Sequence, residues 1–211
     1  MTAGPAELAA RSAASGALGR VIRRRSAATA VTAATAAERC DLCAVAVPDR
    51  HRHVLDLPGN ELQCVCQACA LLFEREAAGR GHYRLVPRDR LRLPEFAPAE
   101  LGVPVGLAFF VVGDDGAVVA HYPSPVGATE WDVDADAWRG ARERCPALRD
   151  LQPGVQAFLV NTARGAREHW IVPIDDCYRL VALIRAEWTG LSGGDRVWPA
   201  IDRFFEGLHH S

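Results

Sequence analysis

Residues 40–73 read CDLCAVAVPDRHRHVLDLPGNELQCVCQACALLF and hold five of the chain's seven cysteines. Cys40 and Cys43 form one CxxC pair. Cys66 and Cys69 form a second, after 22 intervening residues. A C-x2-C turn sets two sulfurs on one side of a tight loop, and two such loops supply the four corners of a tetrahedron. This spacing is that of a four-thiolate zinc site, so Cys40, Cys43, Cys66 and Cys69 are the expected ligands of Zn2+.

The residues between the pairs give the local architecture. His53–Leu57 alternates like a strand, Pro58-Gly59-Asn60 is turn chemistry, and Glu61–Val65 returns as a second strand. From Cys66 the run CQACALLFERE reads as a helix whose first turn carries the second cysteine pair. Knuckle, hairpin and helix in this order are the layout of a treble-clef zinc finger. Cys64, two residues before Cys66, shares its strand face. It is expected as a buried thiol beside the metal rather than as a ligand.

Two other chemistries compete for the stretch. Four thiolates also suit iron in a rubredoxin-like electron carrier. Rubredoxin knuckles usually end in glycine, whereas Ala44 and Ala70 follow the knuckles here. The pattern of cysteine pairs, H-x-H and GNELQ also resembles an HNH endonuclease. That family pairs a strand histidine, here His51 or His53, with an asparagine, here Asn60, and with a helix histidine that holds the catalytic metal. The position of that last histidine is Ala70, so hydrolysis lacks a ligand. His51 and His53 are then expected as polar residues of an Arg-flanked loop entering a strand.

Around this stretch lie 211 residues with 49% hydrophobic and 24% charged content, ordinary for a globular chain. The net charge of −2 gives no global attraction to nucleic acid or membrane. No run approaches 18 apolar residues, so no membrane insertion is expected. Paired CxxC thiols suit a reducing cytoplasm. All 24 basic residues are arginine. They are spread unevenly: six Arg against two acids over residues 1–39, eight against seven over 40–93, ten against 17 over 94–211. The chain is accordingly read as a disordered or weakly helical tail (1–38), a treble-clef-like zinc-binding domain (39–93) and an α+β domain (94–211). The tail, rich in Ala, Ser, Thr and Arg, has too few apolar side chains to bury a core.

Beyond the finger, Arg84, Arg88, Arg90 and Arg92 could meet phosphate, but no aromatic interleaving or recognition helix accompanies them. They are expected on a charge-blunted edge strand covering the finger, and nucleic acid is not an expected partner. Strands are expected at 105–112, 117–122, 155–161 and 169–174. The proline-rich PSPVG is expected to break regular structure. Helices are expected over 134–145, from Asp175-Asp176 to Leu191–Gly194, and over 197–208, with Asp175 and Asp176 as helix caps. The order β-β-α-β-β-α-α predicts an antiparallel sheet covered by helices, hence an α+β fold behind the finger. Cys145 and Cys177 fall on apolar helix faces as core thiols. Arg164, Arg167 and His169, near a turn at 161–165, are open to an acidic partner. No phosphate loop, nucleophile elbow or HExxH motif occurs, and no catalytic residue is assigned.

The runs at 51–76, RLVPRDRLRL at 84–93, PVGLAFF at 104–110, YPSPVGATE at 122–130 and NTARGAREHWIVPIDDCYRLVALIR at 161–185 together resemble an uncharacterised bacterial family of about this length. The resemblance spans residues 40–208. That family's genes lie beside those of [NiFe] hydrogenases and their maturation factors. The resemblance therefore implies a role in assembling or serving such a hydrogenase and assigns no catalytic residue; the chain is read as a non-enzymatic accessory protein with such a protein partner.

Deleting residues 1–36 should leave the melting temperature and the bound metal unchanged, because the segment buries little apolar surface. A large fall in melting temperature, read by circular dichroism, would show that the tail is part of the fold.

Overall fold

In the computed structural model, the structure describes residues 38–74, 81–93, 96, 101, 106–190 and 193–210. The expected tail at 1–37, the helix end at 75–76, the strand start at Val105 and the Leu191-Ser192 helix stop lie outside the described residues.

The finger begins with an isolated bridge between Arg39 and Ala46 that closes the first knuckle. Strands β1 (Arg52–Asp56) and β2 (Glu61–Val65) follow as an antiparallel hairpin. Helix α1 (Gln67–Leu71) comes next, then strand β3 (Tyr83–Leu85) against the free side of β1. Helix α1 is shorter than its sequence pattern suggests, passing into turns after Leu71. The strands bury Val54 and Val65 on Cys40, Val47 and Ala70. Five residues make a small core, flanked by the Phe73–Tyr83 ring pair.

A six-stranded antiparallel sheet forms the rest, in the order β4-β9-β8-β5-β6-β7. Its strands are β4 (Leu91–Arg92), β5 (Leu107–Val112), β6 (Val118–Ser124), β7 (Gly127–Asp132), β8 (Gln156–Asn161) and β9 (Glu168–Pro173). Among the described residues, three α-helices accompany it: α2 (Ala135–Arg144), α3 (Ile174–Glu187) and α4 (Gly194–His209). The α+β architecture with antiparallel sheets follows the hydrophobic alternation. Leu107, Phe109, Ala157, Leu159, Trp170 and Val172 face α3 and α4. Ala108, Phe110, Phe158, Val160 and Ile171 face Trp138 and Ala141 of α2. Both faces of the central strands are covered, which explains their nearly continuous apolar runs.

Strand β7 falls where PSPVG is expected to end regular structure. Pro123 sits near the end of β6, opposite Ala128, and the chain reverses at Pro125-Val126. A proline is tolerated there because the pairing ends one residue later and β7 is the sheet's edge. The Arg ladder also differs. Arg90 precedes β4, and β4 pairs with β9, so this edge strand covers the large sheet and not the finger. Arg84 donates to the Pro153 carbonyl (2.6 Å) and to Asp114 (3.0 Å), Arg90 to Asp176, and Arg92 to Glu168 (3.5 Å). Three of the four ladder guanidiniums are thus engaged within the chain. His169 is buried and closed to any partner, unlike its sequence expectation.

Asp134 caps α2, accepting from the Asp136 and Ala137 N–H groups. Asp175 and Asp176 do not cap α3; Pro173 holds that place. Both lie in the helix's first turn and receive cations from elsewhere. Asp176 is buried and accepts two hydrogen bonds from Arg90 (2.6 and 3.1 Å) and one contact from Arg179 at 2.9 Å. Cys177 is fully buried, as a core thiol should be, whereas Cys145 is the C-cap of α2 and only partly buried against that core.

The finger shares the larger core. Leu55 and Val86 join Phe109, Val155, Leu159 and the α3 residues in one cluster, with Leu57 and Leu62 packed against it.

Replacing Asp176 by alanine leaves Arg90 without its partner between β4 and α3. The expected loss is roughly 3 kcal/mol of stability, measured by urea unfolding. A loss below about 0.5 kcal/mol, the range of an ordinary surface substitution, would contradict this role.

Candidate metal centre

The two knuckles meet as their spacing predicts. In the first, Cys40 N–H donates to Val45 O and Ala44 N–H to Cys40 O, both at 2.8 Å. In the second, Cys66 is the cap of α1, its Sγ accepting from Cys69 N–H at 3.4 Å, and Cys69 lies in the helix's first turn. All four Sγ atoms of Cys40, Cys43, Cys66 and Cys69 lie within 4.8 Å of one another. The Cys43–Cys66 separation is 3.7 Å. A tetrahedron with metal–sulfur bonds of about 2.3 Å has sulfur–sulfur edges of about 3.8 Å. The group therefore fits a four-coordinate ion that binds soft donors, with every position taken by the protein. All seven cysteines are free thiols.

The electrostatics point the same way. Burial raises the Cys40 thiol, but the backbone N–H groups of Cys66, Cys43 and Leu42 outweigh it and bring its pKa down to about 6. Cys69 answers in the opposite sense. Hydrogen bonding with Cys66 and Cys43, together with the Cys40 charge, pushes it up to about 12. At Cys43 the Val45 N–H acts to lower the pKa, but the Cys40 side chain wins and the net direction is up. One thiolate is thus stabilised and its neighbours resist ionisation, the behaviour of crowded ligands that a cation would relieve.

Ala44 qualifies the contrast with rubredoxin knuckles. Its φ is 60°, the left-handed region that glycine usually fills. The knuckle adopts the turn despite its Cβ, and the Val45 N–H still reaches Cys43. The residue at 44 therefore does not exclude iron.

Cys64 stands outside the four-thiol group, as expected. It is half-buried rather than buried, and it gathers with His51 and His53 in a second group whose ligand atoms also lie within 4.8 Å. The histidines are not a solvated loop: the His51 side chain is 4% exposed and His53 18%. Burial works against the His53 charge, but hydrogen bonding to Asp175 prevails and lifts its pKa to about 9. The signal available in the sequence was the spacing: His51 and His53 share one strand face with Cys64 across the hairpin. Their partner Asp175, 122 residues away, carried no such signal. Asn60 is not brought to this group. It lies at the hairpin turn, four residues along β2 from Cys64 or about 13 Å at 3.3 Å per residue, so the nuclease arrangement is not assembled.

The chain matches, over residues 39–211, the model of a family of unknown function, DUF5947, and belongs to that family. No curated protein and no solved structure matches it.

Cys40→Ser or Cys69→Ser should release the bound ion and unfold the finger, since a three-thiolate remnant does not close a structural site. Cys64→Ser should keep the four-thiolate ion. Loss of that ion from the Cys64 variant together with its retention in Cys66→Ser, read by elemental analysis after desalting, would reverse the ligand assignment.

Proposed function

We propose that this member of the DUF5947 family is a zinc-stabilised, non-enzymatic accessory protein of the reducing cytoplasm, serving a [NiFe] hydrogenase or one of its maturation factors. The observation that carries the reading is the closed ligand set. Four cysteines fill a tetrahedron, so a bound ion has no open position for water or substrate. Such an ion contributes folding energy and no chemistry. Its beneficiary is a finger whose own cluster, among the described residues, buries five side chains, and whose hairpin also packs into the larger core.

The partner reading rests on the family resemblance and on the finger's surface. Leu42 and Val45 beside the first knuckle, and Leu71 and Leu72 beside the second, are 38–61% exposed. Apolar side chains on either side of a metal centre suit docking against another protein. The arginines that would have met nucleic acid are largely occupied by acceptors of the same chain. Among the described residues no helix is long and apolar enough to cross a membrane.

The left-handed Ala44 turn favours one second reading, a four-thiolate iron centre carrying electrons for the same partner. Metal analysis with visible absorption separates the two. Protein from native cells should contain zinc and be colourless; iron with a thiolate charge-transfer band would overturn the zinc assignment. In the same preparation, hydrogenase subunits or maturation factors should co-purify, and their consistent absence would remove the accessory role. Pure protein should not cleave plasmid DNA with Mg2+, Mn2+ or Ni2+. Cleavage abolished by His53→Ala would establish an enzyme instead.

A further inference from the structure

The β1–β2 hairpin carries metal-ligating chemistry that the four-thiolate centre does not use. His53 and Cys64 are direct cross-strand partners, and His51 lies two residues before His53 on the same face. The two imidazole rings stand 4.6 Å apart. Each is pinned through the same nitrogen. His51 Nδ1–H donates to the Pro48 carbonyl at 2.8 Å, with a Glu38 carboxylate oxygen 3.8 Å away. His53 Nδ1–H donates to Asp175 at 3.0 Å. With both Nδ1 atoms committed, Nε2 is the nitrogen each ring has left for an ion.

His51 Nε2 is the telling atom. It is buried and has no hydrogen-bond partner among the described residues, on a side chain only 4% exposed. A buried polar atom left unpartnered costs about 1–3 kcal/mol, so such an atom held rigidly beside a second imidazole and a thiol calls for a ligand. Cys64 is held as firmly. Its N–H donates to the Asp41 carboxylate (2.7 Å), and Asp41 N–H donates to its carbonyl (2.8 Å).

We propose that His51, His53 and Cys64 form a second metal site, which takes a transition metal ion of borderline softness such as Zn2+, with Asp175 positioning His53 from helix α3. Two imidazoles and one thiolate are the donor set such ions prefer. Bonds of about 2.0–2.3 Å place tetrahedral ligand atoms about 3.5 Å apart. The three ligand atoms, within 4.8 Å of one another, close on an ion by small side-chain rotations. Metal ligands bind in their deprotonated forms, a thiolate and neutral imidazoles. The Asp175–His53 pair is the carboxylate–histidine arrangement that orients metal-bound imidazoles. This site differs from the four-thiolate centre in two ways. Three protein ligands leave one coordination position open, and the carboxylate comes from beyond the finger. An ion here ties the hairpin to α3.

The test uses the full-length, untagged chain dialysed against Zn2+ and then desalted. Two zinc ions per chain are expected, falling to one in Cys64→Ser and in His51→Ala with the circular dichroism spectrum kept. Asp175→Asn, which retains all three ligands, should weaken the second ion 10–100-fold and leave the first unchanged. A purely structural Asp175 would not move the affinity of that one ion. Cobalt titration of the unsubstituted protein gives a readout that needs no variant. The second equivalent should add charge-transfer absorbance of about a quarter of the first, one thiolate against four. One zinc per chain, or a second equivalent of cobalt with no thiolate band, overturns the proposal. So does a second ion that persists in both Cys64→Ser and His51→Ala, which would place it elsewhere, for example at His209-His210.

Discussion

Four sulfur atoms within 4.8 Å of one another cannot all carry negative charge unless a cation sits among them. The finger depends on that constraint. Its core is Cys40, Val47, Val54, Val65 and Ala70, and a core of that size does not offset the entropy of ordering the chain around it. The backbone N–H groups aimed at Cys40 supply part of the compensation, and an ion held by the four sulfurs would supply the rest. The knuckle turns, the left-handed Ala44 and the cap at Cys66 follow from the need to bring four sulfurs to one point.

The alternation of the β1–β2 hairpin turns that local centre into a feature of the whole molecule. Val54 and Val65 point into the finger. Leu55, Leu57 and Leu62 reach the cluster that contains Phe109, Leu159 and α3. Polar links run across the same junction: His53 to Asp175, and Arg84 to Pro153 and Asp114. Gly154 allows the close approach, since a Cβ there would meet Leu55 Cδ2 at 2.7 Å. The four-sulfur group and the first turn of α3 are thus joined through a hairpin only five residues long on each side.

The four-thiolate group was readable because its signal is local: two CxxC turns around a hairpin leave little choice of geometry. The central strands β5, β8 and β9 were readable from their apolar runs, and α2 and α4 from their periodicity. Strand β7 was not, because a half-solvated edge strand beside two prolines has little hydrophobic pattern. Asp175 and Asp176 looked like caps because helix-start carboxylates usually are; their true partners, His53 and Arg90, are 122 and 86 residues away. The second histidine–cysteine group was within reach of the hairpin spacing, but its link to Asp175 was hidden by that distance. Cys64 stood out by its spacing, but what surrounds it is decided by how the hairpin docks.

Hydrogen exchange of the full-length protein before and after chelation tests the central claim most directly. The account predicts that removing the ion abolishes protection of the Val54 and Val65 amides in the finger. Protection of Phe109 and Phe158, in the middle of the six-stranded sheet, should be retained. Finger amides that stay protected after complete metal removal would contradict it.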